Sequence, residues 1–269
     1  MNALDLFWRE DGNPDGPPVL LVHAFPTSHA LWERQVAVLG ERYRLIRPDL
    51  RGFGQSPVPE PPYRMDDMAA DLLRLLDQLE IERVNYVGIS MGGMIGQVFA
   101  LAYPGRVQSL ALCMTTSVVP ADTPAGDDPA YAICARLFRR AADRADAEGM
   151  GPIVAMCLDR WFTPAFQSSA PAQRVADIVR RNTAKGYRGG VEAMAGFDVH
   201  ARLGEIAQPT LVMPAALDLG TPVRCSEEMA ARMPNARLEV VGNAKHIAIV
   251  EQPEVCNRHL LQHLNRHAG

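Results

Sequence analysis

The chain has 269 residues, 48% hydrophobic and 22% charged, with a formal net charge of −4 at pH 7. That is enough apolar material for one large core, with room for an inserted subdomain. The balance of charge excludes the basic stripe of a nucleic-acid-binding surface and the composition of a disordered chain, and no apolar run approaches a membrane span.

Pro18 to His23 (PVLLVH) is the first continuous apolar run, the pattern of a strand buried on both faces. Tyr43 to Pro48 reads the same way. Over Met65 to Leu79, apolar residues recur at steps of three and four, with Asp66, Asp67, Asp71 and Asp77 on the other face, which predicts an amphipathic helix. Arg83 to Ile89 is a second buried strand, followed by a small, apolar helix over Met91 to Tyr103 that stops before Pro104. Val107 to Met114 is a further strand. From Val118 to about His200 there are helical patterns and no convincing strand, and the stretch opens on the Pro/Asp/Gly-rich VVPADTPAGDDPA. The alternation resumes with strands at Thr210 to Pro214 and Arg237 to Val241, and helices over Pro222 to Arg232 and Gln252 to Asn265. Strand alternating with helix predicts an α/β fold with a mostly parallel sheet covered on both faces. Residues 1–117 and 201–269 are expected to form this core, and 118–200 a helical cap over the carboxyl ends of its strands, where ligands bind in such sheets.

Ser90 lies in Gly88-Ile89-Ser90-Met91-Gly92, between a strand and a helix start. A serine hydroxyl becomes a useful nucleophile only when exposed beside a base and beside oxyanion donors. A sharp strand-turn-helix exposes it, provided the flanking positions carry no clashing Cβ, hence glycine at 88 and 92. Downstream, Asp218 follows the strand at Thr210 to Pro214, and His246 follows the last strand. Both are expected on loops after strands, in the chain order serine, acid, histidine. Taken singly, Asp218 would read as a turn residue and His246 as a loop residue; the order and topology of the three point to catalytic Ser90, Asp218 and His246. The oxyanion hole is assigned to the backbone N–H groups of Met91 and Phe25, because Pro26 has no N–H to give. His23 is read as holding that loop.

These segments resemble the α/β-hydrolase superfamily, and the resemblance covers nearly everything outside the expected cap. It rests on His23-Ala24-Phe25-Pro26, Asp49 to Ser56, the Ser90 pentapeptide, Asp218 with Thr221-Pro222, and His246 with Glu251-Gln252-Pro253. Ala24 departs from the glycine common at that position. The N-terminal segment is similar to cofactor-free haloperoxidases, which are esterases with perhydrolase activity. Gly88 to Gln97, Arg160 to Pro164, and Gly186-Tyr187 before Met194 are similar to 3-oxoadipate enol-lactonases. The resemblance implies a serine hydrolase of a small-molecule carboxylic ester or lactone that works through an acyl-enzyme and needs no cofactor. The alternatives it leaves are a perhydrolase-like esterase, a hydrolase of an activated C–C bond and a ligand-binding receptor.

Between Arg160 and Gly190, six cations (Arg160, Arg174, Arg180, Arg181, Lys185 and Arg188) face Asp177 alone. They are either solvated helix faces or a basic cap that draws an anionic substrate. Arg160 and Trp161 are assigned to the substrate pocket, with cap core as the other reading of Trp161. His259, His263 and His267 recur every four residues and are read as a solvated face, with no metal site. Gly52-Phe53-Gly54 lacks the rest of a dinucleotide fingerprint. Five widely spaced cysteines form no C-x-x-C pair, and Met1 to Arg9 lacks a signal-peptide pattern, so a cytoplasmic location is expected. Apolar cap faces are compatible with a homo-oligomer; neither nucleic acid nor membrane is expected as a partner.

Overall fold

The computed structural model describes residues 3–120 and 135–267. Residues 121–134, with most of the Pro/Asp/Gly-rich opening of the expected cap and Cys134, lie outside them. Seven strands, β1 (Trp8–Gly12), β2 (Pro18–Val22), β3 (Arg44–Pro48), β4 (Val84–Ile89), β5 (Val107–Cys113), β6 (Thr210–Met213) and β7 (Ala236–Leu238), form one sheet in the order β1-β3-β2-β4-β5-β6-β7. All neighbours are parallel except β1, which runs antiparallel to β3. The central strand β4 is buried at every residue, as its uninterrupted apolar run requires. Its one amide is satisfied: Asn85 donates to the Pro18 carbonyl and accepts from the Ser109 hydroxyl.

Helices cover both sides of this sheet. α1 (Glu33–Leu39) packs with the terminal helix α10 (Pro253–His267), while α2 (Met65–Gln78) packs with α3 (Met91–Ala102). α3 leans on β4 and β5, and α10 on β5. Among the described residues, four α-helices lie between β5 and β6: α4 (Ala135–Glu148), α5 (Gly151–Trp161), α6 (Ala170–Arg180) and α7 (Ala184–Met194). α4 packs on α5 and α7, and α5 on α6. Among the described residues, the extended pairing in this stretch is a single bridge, Val118 to Asp198. α8 (Val223–Arg232) and the one-turn α9 (Ala248–Glu251) complete the set.

Two polar residues expected at the surface are buried. Asp71 falls one turn after Met68, on the stripe that α2 buries, and it is fully enclosed. It accepts from Arg51 Nε at 2.6 Å and Arg51 Nη2 at 2.7 Å, a bidentate pair that anchors the loop after β3. His263 lies on the face of α10 turned to the sheet and is also buried, so the three histidines of α10 are not a solvated face. Among the described residues, no three His, Cys, Asp or Glu side chains stand close enough to hold a metal ion. No helix among them is long and apolar enough to cross a membrane.

Candidate active site

Ser90 occupies the junction of β4 and α3 with φ 54° and ψ −118°, a left-handed backbone that costs a non-glycine residue about 1–3 kcal/mol. The surroundings hold it there. Its N–H donates to the Cys113 carbonyl, and its own carbonyl accepts from Gly93, Met94 and the Thr115 hydroxyl. The flanking glycines are needed for close approach, as expected: a Cβ on Gly88 would lie 2.3 Å from the Gly92 carbonyl oxygen, and one on Gly92 the same distance from that of Val22.

The three residues singled out in chain order meet here. His246 Nε2 stands 2.8 Å from Ser90 Oγ, and His246 Nδ1 stands 2.6 Å from Asp218 Oδ2. The network assigns the tautomer: Nδ1–H donates to the carboxylate, and Nε2 accepts from the serine hydroxyl. Asp218 Oδ2 also accepts from the Thr221 hydroxyl at 2.7 Å, and Oδ1 from the N–H groups of Gly220 and Thr221. Burial alone would raise the Asp218 carboxyl. The charge and hydrogen bond of His246, helped by Thr221 and Gly220, outweigh burial and hold it below the usual carboxylate range. The two loops are also stitched by backbone bonds, Leu217 to Ala244 and Ala216 to Val241.

Met91 follows the serine in the chain, and Phe25 lines the same cavity as Ser90. Met91 is the first residue of α3, where N–H groups have no intrahelical acceptor, and Phe25 sits in the loop after β2. Among the described residues neither N–H is engaged by an acceptor. The Phe25 loop is rigidly tied. The Ala24 carbonyl accepts from the N–H and hydroxyl of Thr27 and from His23 Nδ1, while His23 Nε2 accepts from the Leu50 N–H. His23 is therefore structural, as expected, and burial lowers its pKa and keeps the imidazole neutral.

A cavity with about 560 Å³ of empty space, counted to its mouth, opens onto Ser90, Asp218 and His246. Its walls are Phe25 and Pro26 from the loop after β2, Met94 from α3, Phe138, Met156, Cys157, Trp161, Tyr187 and Met194 from α4, α5 and α7, and Gly220. Trp161 and Arg160, the two residues expected at a substrate pocket, both line this cavity. The other five cations between Arg160 and Gly190 do not. Arg188 pairs with Asp143 and Asp146, Arg180 with Asp177 and Lys185 with Glu60, and Arg174 and Arg181 line a separate groove against Arg34. Of those six cations, Arg160 is thus the one at the cavity, while acidic residues of α4, α6 and the loop before α2 pair with Arg188, Arg180 and Lys185 away from it. Sequence reasoning passed over Phe138, Met156, Cys157 and Met194, which look like ordinary helix core until the helices are folded over the serine.

The family model for the alpha/beta hydrolase fold matches residues 17–253. The chain is 32% identical to 3-oxoadipate enol-lactonase 2 of Acinetobacter baylyi over 91% of its length and 88% of that protein's. Among solved structures it is similar to a thermophilic esterase from Thermogutta terrifontis (30% identity, TM-score 0.88, covering 98% of this chain and 94% of that one). It is similar also to the enol-lactonase from Burkholderia xenovorans LB400 (28% identity, TM-score 0.88, 97% and 96%). With the sheet order, the strained serine between β4 and α3 and a match spanning nearly the whole chain, this protein belongs to the alpha/beta hydrolase fold family and is a hydrolase.

Proposed function

We propose that this hydrolase cleaves a carboxylic ester or lactone through an acyl-enzyme on Ser90, with Ser90, His246 and Asp218 as its catalytic residues. The observation that carries the reading is the unbroken relay from Asp218 Oδ2 through His246 to Ser90 Oγ, at 2.6 and 2.8 Å. His246 Nε2 takes the serine proton as Oγ attacks the substrate carbonyl, then returns it to the leaving oxygen. Asp218 holds the tautomer and stabilises the imidazolium. The N–H groups of Phe25 and Met91 stabilise the oxyanion. Water, deprotonated by the same His246, then releases the acid and restores the serine hydroxyl.

Residues 118–200 serve as a cap in this reading, because α4, α5 and α7 contribute most of the apolar wall around the serine. Arg160, the cavity's cation, favours an anionic substrate such as a carboxylated lactone. The enol-lactonase relative supports the lactone class, and the esterase structure the wider ester class. The four described cysteines are free and buried, which supports a cytoplasmic site of action.

A fluorophosphonate is expected to label Ser90, and Ser90→Ala to lose both labelling and turnover in a screen of esters and lactones with and without carboxylates. Undiminished turnover in that variant overturns the assignment. A second reading, perhydrolysis with peroxide replacing water at the acyl-enzyme, is favoured by Pro26, which lines the cavity beside Phe25. Peroxide-dependent halogenation in acetate buffer tests it.

A further inference from the structure

Tyr187 is the polar group of the cavity wall that the scheme above leaves without a task. Its side chain is fully buried, and its hydroxyl has no hydrogen-bond partner among the described residues. It lines the same cavity as Ser90 and His246, and its ring centroid lies 4.6 Å from that of Phe25. A buried hydroxyl left unpaired is costly, and phenylalanine would fill nearly the same volume without that cost. The neighbouring Phe138, Met156 and Met194 offer no strong acceptor. Burial, with the Cys157 thiol beside it, pushes the phenol far above its ordinary pKa, and the Arg160 charge offsets this only in part. The hydroxyl therefore stays protonated, a donor throughout the working pH range.

We propose that Tyr187 Oη is a specificity-determining donor to an uncharged oxygen, a keto or ether group, on the acyl chain of the substrate. The inference rests on the acyl-enzyme reading and adds which acyl chains the site favours. Such an oxygen loses its water on entering an apolar cavity, and a donor already placed there compensates it. A chain of plain methylenes leaves Tyr187 unpaired and gains nothing from it. Arg160 acts differently: it is an exposed cation at the same cavity and responds to net charge, whereas Tyr187 reads a neutral acceptor inside.

The test uses p-nitrophenyl esters of straight-chain acids of one length, with a single keto or ether oxygen stepped along the chain, beside the all-carbon ester. Each rate is divided by that ester's hydroxide hydrolysis rate to remove intrinsic reactivity. At one oxygen position the wild-type enzyme is expected to show kcat/KM about tenfold or more above the all-carbon ester. Tyr187→Phe is expected to bring that ratio down to about one, and to melt at or above the wild-type temperature, since the hydroxyl it loses has no partner among the described residues. No preference at any position in the wild type overturns the proposal, as does a preference that survives in Tyr187→Phe. A lower melting temperature in that variant also counts against it, because the hydroxyl would then be held by the protein itself. If the wild type shows no Ser90-dependent turnover even of the all-carbon ester, the acyl-enzyme reading falls as well, and the two failures are told apart.

Discussion

Glu251 accepts with one carboxylate oxygen from both the N–H and the hydroxyl of Thr163, and with the other from the N–H of Lys245 at 3.0 Å. One buried side chain in α9 thus ties the segment just beyond α5 to the residue that precedes His246. A second tie runs from the Ile247 N–H to the Trp161 carbonyl. The loop that carries the proposed base is therefore positioned in part by the helices that wall the cavity.

Glu251→Gln tests this coupling. The amide keeps one accepting oxygen but turns an N–H₂ group toward a backbone or hydroxyl donor, leaving a buried donor unpaired. The expected cost is about 1–2 kcal/mol of stability. A small displacement of His246 should lower kcat about tenfold while changing KM little. Thermal melts and steady-state kinetics check both, and an unchanged kcat would show that the loop is positioned without Glu251.

Asp218→Asn separates tautomer control from simple loop structure. An asparagine can keep the bonds from the Gly220 and Thr221 N–H groups through its oxygen, so the loop should persist. Its N–H₂ would then face His246 Nδ1 and favour the wrong tautomer. Under the proposed mechanism kcat falls by about 10⁴. Thr221→Val, which removes one hydrogen bond to Oδ2, should cost far less, about tenfold. Comparable losses in the two variants would contradict a tautomer-setting role.

The strands near the serine were legible because burial on both faces leaves continuous apolar runs, as in β2, β4 and β5. β1 left no such trace. As an antiparallel edge strand it reads Trp-Arg-Glu-Asp-Gly, half solvated and without an apolar run. Ser90, Asp218 and His246 were legible because their order and their places after strands are written along the chain. Pairings across the fold were not. Nothing local tells that Asp71 meets Arg51, that Arg188 is neutralised by Asp143 and Asp146, or that the hydroxyl of Tyr187 has no partner among the described residues.

Arg160 and Arg188 now part company. Arg160 lines the cavity, whereas Arg188 is held in a surface pair with two aspartates of α4. Arg160→Gln should raise KM for a carboxylated ester about tenfold and leave its neutral counterpart nearly unchanged. Arg188→Gln should affect both equally and slightly, and cost under about 1 kcal/mol in stability, as exposed ion pairs do. Matched kinetics on charged and neutral esters at two salt concentrations distinguish the cases, since screening should weaken only the Arg160 effect.

His263 sets an acid limit on the fold. Its ring is buried between α10 and β5, and neither nitrogen makes a hydrogen bond of normal geometry among the described residues. Burial, reinforced by the nearby charges of His267, Arg237 and Arg266, pulls its pKa down to about 3, which the Leu110 backbone offsets only in part. In the unfolded chain the imidazole titrates near about 6.5. Between those values the unfolded state binds the proton and the folded state does not, so stability rises with pH across that window. It should be fully present above about pH 6.5 and decline steadily as the solution is acidified, by a few kcal/mol in all. His263→Leu removes the titrating group while keeping an apolar filler against β5. Chemical denaturation from pH 7 to pH 4.5 should therefore show a shallower loss of stability in this variant than in the wild type. Parallel slopes would mean that acid sensitivity originates elsewhere in the molecule, and that the buried ring is accommodated in its charged form.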